Sequence, residues 1–170
     1  MQFHQAFAIN LSIEKIDMYR WVTEMTPEDY VSFSPGHKAM GSFFRGHEFL
    51  MTNVEYIGTD MFVQHYRLVE HGKSDVKFHS AETEGYLYRW FPVSVGVRWE
   101  MALRPTAAGS CELQCTIGAD FPSKLLAVAA QINGLGGYFI KRHLSVEGVA
   151  FAKDIERKFA SQPGDVARTT

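Results

Sequence analysis

The feature that most constrains the fold is a long region, from Phe43 to about Ile117, in which apolar and polar side chains alternate. Successive side chains of a β-strand point to opposite faces of the sheet, so this alternation predicts strands with one buried face. In the segment VSVGVRWEMAL, for example, one face carries Val93, Val95, Val97, Trp99, Met101 and Leu103. Turn-forming stretches such as GTD, HGKSD and RPTAAGS separate about six strands. The pattern is typical of an antiparallel sheet with one covered face and one wet face.

The residues before this region predict one strand and two helices. In QFHQAFAINLSI, the residues on one face of a strand are Phe3, Phe7, Ile9 and Leu11. The next segment, EKIDMYRWVTEM, has helical spacing, and its candidate buried residues are Ile16, Tyr19, Trp21 and Val22. Thr26 as N-cap and Pro27 at the first helical position predict a second short helix to about Ser32. The following SFSPGHKAMGSF is predicted to be a turn-rich link.

The residues after the strands predict a long helix from about Ser123 to roughly Ala160, with a kink at the glycine-rich residues 134–137. A curved antiparallel sheet wrapped around this helix buries the apolar sides of both. The predicted fold class is therefore α+β, with a ligand cavity between the sheet and the C-terminal helix. We expect residues 1–160 to form a single domain and residues 161–170 to form a flexible tail.

Composition excludes several classes of function. The formal net charge of the 170-residue chain is -2 and its basic residues are scattered, so we expect no nucleic-acid partner. No apolar run approaches the roughly 20 residues that span a bilayer, and no signal peptide is visible, so we expect a soluble cytoplasmic protein without integral membrane association. Cys111 and Cys115 lie on the same face of a strand and are interpreted as small buried hydrophobic residues. Whether two copies of the chain form a homodimer is left open.

Two polar residues interrupt the apolar side of the C-terminal helix. At about 100° per residue, one stripe of this helix contains Ile140, Leu144, Glu147, Phe151 and Ile155. His143 lies one turn before Glu147, and this spacing brings the two side chains together. Because a buried carboxylate without a partner is costly, the pair either satisfies itself structurally or serves the cavity. In the second case it orients a ligand, acts as general acid and base, or supplies half of a metal site.

The predicted sheet is rich in polar and aromatic side chains. Sites for small molecules are mostly apolar and aromatic, with a few polar groups in fixed positions. The candidate ligand-binding residues are therefore His65, Tyr66, His79, Tyr86 and Trp90 on the strands and Phe139 on the helix. Their aromatic members suit a pocket that stacks on a planar ligand. His143 and Glu147 are the candidate catalytic residues, and neither a metal site nor a cofactor is assigned.

The order of strand, two helices, about six strands and a long helix resembles the helix-grip fold of the START-like (SRPBCC) superfamily, which includes polyketide cyclase/dehydrase-like proteins and lipid-transfer domains. The resemblance covers Phe3 to about Phe159 and rests on the order and pattern of the elements. It implies a hydrophobic ligand cavity but no particular reaction, because a fold does not fix a function. Connections such as SPGHKAMG often form the cavity entrance in START-like proteins, which makes His37 a minor candidate.

A second resemblance concerns the C-terminal helix. The phloretin hydrolase and diacetylphloroglucinol hydrolase family has a START-like fold and binds zinc, and its C-terminal helix supplies a histidine and a glutamate in the spacing His-x-x-x-Glu. His143 and Glu147 stand in this spacing. The remaining ligands of that family are a histidine and a glutamate from the sheet, for which this chain offers His65, His79, Glu82 and Glu84.

Three functions follow from these observations. The first is a protein that binds a hydrophobic, aromatic or polyketide-like small molecule, with or without cyclase-like acid–base chemistry. The second is a zinc-dependent hydrolase or lyase that uses His143 and Glu147. The third is a lipid carrier without catalysis. Histidines and tyrosines on the strands favour the first over the third, because a lipid carrier needs fewer polar groups in its cavity.

Overall fold

The sheet indicated by the alternating pattern has seven strands. The computed structural model describes residues 1–106, 109–124, 128 and 137–160. The strands are β1 (Gln2–Ile9), β2 (His37–Arg45), β3 (Glu48–Ile57), β4 (Asp60–His71), β5 (Asp75–Leu87), β6 (Phe91–Pro105) and β7 (Cys111–Asp120). Neighbouring strands are antiparallel and follow the order β1-β7-β6-β5-β4-β3-β2, so β1 and β2 form the two edges. The predicted antiparallel sheet is confirmed.

In the described residues the helices are α1 (Met18–Thr23), α2 (Pro27–Phe33) and α3 (Tyr138–Ala160). The two short helices after the first strand are as predicted, although a 3-10 turn at Ile13–Lys15 replaces the expected first turn of α1. A capping box starts α2: the Thr26 hydroxyl accepts from the Asp29 N–H at 3.1 Å, and the Asp29 carboxylate accepts from the Thr26 N–H at 3.2 Å. These bonds satisfy N–H groups that a helix leaves without partners at its start.

The sheet wraps around α3, as the helix-grip prediction requires. Irregular pairing within β4 and β5 bends the sheet, since a bulge adds a residue to one strand and increases the local twist. The rings of Tyr66 on β4 and Trp99 on β6 are consequently only 6.0 Å apart, although β5 separates their strands. The residues of α3 that are buried against this concave face include Leu144, Phe151, Ile155 and Phe159.

Some boundaries differ from the predictions. The supposed link after α2 contains the start of β2, which begins at His37, and β1 ends at Ile9. Cys111 and Cys115 are free and buried. Most of residues 125–136, with most of the predicted kink, and all of the tail 161–170 lie outside the described residues. The assignment of residues 1–160 to one domain therefore stays a prediction. No helix of the described residues is long and apolar enough to cross a bilayer.

Candidate functional site

Four buried ionisable side chains meet between β2, β3 and α3, and we call them the His–Glu cluster. They are His37 at the start of β2, Glu55 on β3, and His143 and Glu147 on α3. His37 and Glu55 are register partners across the β2–β3 pair, so their side chains start from neighbouring positions of the sheet. One nitrogen or oxygen from each of the four residues lies within 4.8 Å of the others.

The contacts in the His–Glu cluster run from the helix to the sheet. His143 Nε2 lies 3.0 Å from Glu55 Oε2 and 3.8 Å from Glu147 Oε2. Glu147 Oε1 lies 3.1 Å from His37 Nε2, which is 3.5 Å from Glu55 Oε2. His143 and Glu147 therefore do not simply satisfy each other, because each makes its shorter contact with a residue outside α3.

Neighbouring groups fix the orientation of the cluster. His37 Nδ1 lies 2.7 Å from the carbonyl oxygen of Tyr30, so Nδ1 must carry the hydrogen that it donates. The Tyr30 ring stacks on the imidazole, with 3.9 Å between centroids and 3° between planes. Glu55 accepts hydrogen bonds from Gln64 Nε2 at 2.7 Å and from the Tyr30 hydroxyl at 3.4 Å. Metal-binding histidines and carboxylates are usually held by outer contacts of this kind.

The other ring nitrogen of His37 has an unusual environment. With the hydrogen on Nδ1, a neutral imidazole presents a lone pair at Nε2. That lone pair would face carboxylate oxygens of Glu147 and Glu55, which is repulsive. No hydrogen bond of acceptable geometry to a described residue involves His37 Nε2. A positive charge at this point, either a proton or a metal ion, removes the repulsion.

Two carboxylates in this buried site require two balancing positive charges, because an unpaired buried charge is costly. Two imidazolium groups can supply them. Burial opposes the charged form of His143, but attraction and hydrogen bonding to Glu55 outweigh it and raise the pKa of His143 to about 9. Burial also opposes the charge on His37, and the contact with Glu147 still raises the pKa of His37 above its ordinary value. One divalent cation would supply the same charge.

The spacing of the cluster fits such a cation. Imidazole nitrogens and carboxylate oxygens are both common zinc ligands. Ligand atoms that surround one zinc ion tetrahedrally at about 2.1 Å lie roughly 3.4 Å from one another. The four short nitrogen–oxygen separations in the cluster are 3.0, 3.1, 3.5 and 3.8 Å, the second and the fourth to different oxygens of Glu147. With one ligand atom from each residue, all four atoms lie within 4.8 Å of one another, so they would draw closer around a bound ion. A set of two nitrogens and two oxygens without sulfur also suits other first-row divalent ions.

The cluster forms part of the wall of a cavity between the sheet and α3. Glu55 and Glu147 reach this wall, and its apolar side chains include Phe62, Val95, Val97, Ile117, Phe121 and Ile140. The open volume is about 100 Å³, counted as the space that the centre of a water molecule can reach. This space is enough for several waters or a small ring system. A ligand in the cavity would therefore lie directly beside two members of the His–Glu cluster.

The structure places one of the six predicted ligand-binding residues on the cavity wall. That residue is Tyr66, which is buried. His65 and His79 point to the opposite face of the sheet and are exposed, since they alternate with the inward-facing Tyr66 and Phe78. Phe139 is partly exposed, and its ring lies over Gly58 instead of lining the described cavity wall.

Tyr86 and Trp90 are also outside the cavity, and a bulge in β5 explains the position of Tyr86. The β5–β6 register shifts between Ser80 and Thr83, so the inward positions change from even to odd numbers. Tyr86 then faces outward and donates to Glu84, while Trp90 lies in the turn between β5 and β6 and is 82% exposed. Glu82 and Glu84, proposed as sheet ligands, are exposed for the same reason.

Sequence reasoning missed Glu55, Asn53, Gln64 and Trp99 as site residues and treated His37 as minor. A signal for two of them was available in EFLMTNVEYI, where Asn53 and Glu55 occupy positions that alternate with outward-facing residues. A polar residue at an inward position of a strand needs a partner or a function. The partners themselves come from α2, β2, β4 and α3, and local patterning does not reveal these contacts.

The comparisons with known proteins agree with this architecture. No protein-family model and no curated protein matches the sequence. A START superfamily protein from Mycobacterium smegmatis matches in structure with a TM-score of 0.58 at 13% identity, covering 92% of this chain and 98% of the other. The Zhui aromatase/cyclase from a Streptomyces species matches with a TM-score of 0.62 at 8% identity, covering 93% and 94%. The chain has the START-like helix-grip fold.

A plant protein extends this likeness: a major latex-like protein from Panax ginseng matches with a TM-score of 0.59 at 8% identity, covering 91% of this chain and 97% of the other. The START-like fold accounts for the curved sheet, the gripped helix and the cavity between them. At these identities the likeness concerns the fold alone. The His–Glu cluster is a feature of the side chains of this protein, and its function has to be argued from them.

Proposed function

We propose that the protein is a metal-dependent enzyme that binds a hydrophobic, ring-bearing small molecule in the cavity and performs a hydrolytic or lyase reaction at the His–Glu cluster. The observation that carries this proposal is the convergence of four ligand atoms within 4.8 Å of one another, in a cluster of which Glu55 and Glu147 reach the cavity wall. His37, Glu55, His143 and Glu147 would hold the ion. The phloretin hydrolase resemblance of the His143/Glu147 spacing supports the same reaction class.

The location of the cluster favours a functional role over a structural one. Buried ion pairs are weak contributors to stability, and well-packed apolar side chains often replace them at no cost. Here the polar groups border a cavity that is otherwise mostly apolar, which is the arrangement expected of a site that orients and activates a ligand. A bound zinc ion would polarise a carbonyl group or lower the pKa of a water molecule. Catalytic zinc sites keep one position for water or substrate, so substrate would bind to the ion either as a fifth ligand or in place of one of the four side chains.

A second candidate is a metal-free cyclase-like enzyme, supported by the aromatase/cyclase among the structural neighbours. In this case His143, whose pKa is raised by Glu55, would serve as the general acid, and Glu147, which reaches the cavity wall, would serve as the base. A lipid carrier remains as the third function, but the two buried carboxylates that reach the cavity wall, Glu55 and Glu147, are unfavourable for a lipid tail.

Elemental analysis of protein purified without chelators separates these functions. We expect about one zinc, or another first-row divalent ion, per chain. Glu55→Gln and His143→Ala should each remove most of the metal while the protein remains folded by circular dichroism. His79→Ala is the matched control, because this exposed histidine lies on the outer face of the sheet and should leave the metal content unchanged. A wild-type protein that contains no metal and does not take up added zinc would contradict the proposal and leave the metal-free candidate.

A further inference from the structure

The cavity contains a second polar feature that the His–Glu cluster does not use. Trp99 is 4% exposed and Asn53 is 3% exposed, and both belong to the cavity wall. Within the described part of the chain, neither the indole Nε1 of Trp99 nor the side-chain oxygen of Asn53 has a hydrogen-bond partner. Buried polar atoms in folded proteins nearly always have a partner, so two such atoms in one cavity need an explanation.

The other buried tryptophan of the chain shows the usual arrangement. Trp21 is 1% exposed, and its Nε1 donates to Asp154 Oδ2 at 2.9 Å. The protein therefore provides an acceptor for one buried indole and none, among the described residues, for Trp99. An indole nitrogen can only donate, so no alternative assignment of atoms removes the mismatch. A donor that the protein leaves unmatched in a residue of the cavity wall is suited to an acceptor that arrives with a ligand.

Trp99 is packed firmly into the cavity wall. Its ring stacks on Phe78 at 5.5 Å, lies 5.6 Å from Phe151 on α3, and lies 6.0 Å from Tyr66. These contacts fix the plane of the indole ring in the cavity wall. A donor that is already fixed loses no side-chain entropy on binding, and this increases the affinity for a ligand whose acceptor matches it.

Asn53 also belongs to the cavity wall and lies on the same face of β3 as Glu55. It precedes Glu55 by two residues on the inward face of β3, and its register partner is Gln64, the residue that donates to Glu55. Because Trp99, Asn53, Glu55 and Glu147 all belong to the wall of one cavity, an oxygen-bearing ligand in it would lie beside Trp99 and Asn53 as well as the two carboxylates. These polar positions would set which bond of the ligand lies at the cluster.

We propose that Trp99 and Asn53 form a specificity subsite for an oxygenated ring compound, in which Trp99 Nε1–H donates to a carbonyl or other acceptor oxygen at the leading end of the ligand. The Asn53 amide contacts a further polar substituent along its side. This inference rests on the proposed function because it uses the same cavity, and it names the class of substrate: ring-bearing molecules with an acceptor oxygen remote from the reacting group. Unsubstituted hydrocarbons and simple lipid tails are selected against, since they leave both groups unpaired.

The test uses two probes that differ by a single acceptor oxygen, 1-indanone and indane, titrated into the purified full chain. We expect 1-indanone to bind about tenfold more tightly than indane, because only the ketone satisfies the buried N–H. Trp99→Phe keeps an aromatic ring and removes the donor, so it should bring this ratio close to one. Trp90→Phe is the matched control, since Trp90 is exposed and away from the cavity, and it should preserve the wild-type ratio.

A second measurement uses the wild-type protein alone and does not depend on the variant folding well. In protein labelled with ¹⁵N at tryptophan, 1-indanone should shift the Trp99 indole proton downfield, whereas the Trp21 and Trp90 signals should move little. Equal binding of the two probes, binding of neither, or an unshifted Trp99 signal at saturation would overturn the subsite. Metal content is measured on the same samples, so a result that contradicts metal binding can be told apart from a result that contradicts the subsite.

Discussion

At the scale of single residues, the orientation of Glu55 is the most heavily supported feature of the site. Gln64 donates to Glu55 Oε1 at 2.7 Å, while Glu55 Oε2 faces His143. Gln64→Met should remove this donor with little change in volume and lower the metal affinity about 10- to 100-fold, as loss of outer contacts does in other metal sites. Competition with a chromophoric chelator measures the affinity.

The control for this prediction is Gln114→Met. Gln114 is a half-buried glutamine of β7, and like Gln64 it donates to a glutamate, in this case Glu112 at 2.7 Å. It does not belong to the cavity wall. It should leave metal affinity unchanged. Equal affinities for wild type and Gln64→Met would show that Glu55 does not depend on its neighbour, and would argue against Glu55 as a ligand.

The same residues show how far sequence reasoning reaches at this scale. His143 and Glu147 were identifiable because both side chains of the pair lie on one helix, where spacing alone determines proximity. Glu55 and His37 were not paired with them, because their positions depend on a cross-strand register and on the docking of α3. The one-residue shift in β5 shows the same limit: it places Tyr86, a predicted ligand-binding residue, on the outer face of the sheet.

At the scale of elements, the contact between α3 and β1 depends on a glycine. A β-carbon added to Gly148 would lie 2.0 Å from a ring carbon of Phe7, far inside van der Waals contact. Gly148→Ala should therefore reduce the free energy of unfolding by about 1–3 kcal/mol through overpacking, despite the better helix propensity of alanine. Urea unfolding measures this change.

Val149→Ala provides the control for the helix itself. Val149 is adjacent to Gly148 in α3 but is 46% exposed, so its truncation should change stability by less than about 0.5 kcal/mol. A Gly148→Ala protein as stable as wild type would mean that Phe7 can move aside, and that the approach of α3 to β1 is looser than the structure indicates.

A second link between elements joins the start of α2 to the end of α3. Asp29 caps α2 and accepts a hydrogen bond from Lys158 Nζ at 2.7 Å. Burial opposes the Asp29 carboxylate, but the bond from Lys158 and the Thr26 contacts outweigh it, so the pKa of Asp29 is lowered. A lowered pKa stabilises the fold above the unfolded value of about 4, and this stabilisation is lost as the pH falls through the lower folded value.

Asp29→Asn should accordingly cost about 1 kcal/mol at neutral pH, the usual contribution of a helix cap with a partly exposed ion pair. The difference from wild type should shrink as the pH is lowered below about 4, because the wild-type carboxyl then becomes neutral as well. Urea unfolding at several pH values measures both quantities. A difference that stays constant with pH would assign the effect to hydrogen bonding and not to charge.

At the scale of the whole molecule, most of the architecture could be predicted from the sequence. The alternating apolar pattern of the strands and the long amphipathic helix α3 left a curved sheet around a helix as the arrangement that buries both. The same reasoning predicted a cavity and the polar residues of α3 beside it, but not the polar residues that the sheet contributes. The cavity wall combines residues from α3 and from strands far apart in sequence, such as Glu55 and Trp99, which meet only once the bulged sheet has closed around the helix.

The last prediction concerns the coupling between the site and the stability of the whole fold. The His–Glu cluster joins β2, β3 and α3, so a metal bound there stabilises the folded state by mass action, by about 2.7 kcal/mol at 100 times the dissociation constant. For a domain of this size, this corresponds to a rise in Tm of roughly 5–10 °C. Zinc added to chelator-treated protein should produce this rise in wild type and in His79→Ala, but not in His37→Ala or Glu147→Gln. Calorimetry at fixed zinc concentrations measures it, and an equal rise in all four proteins would place the zinc elsewhere.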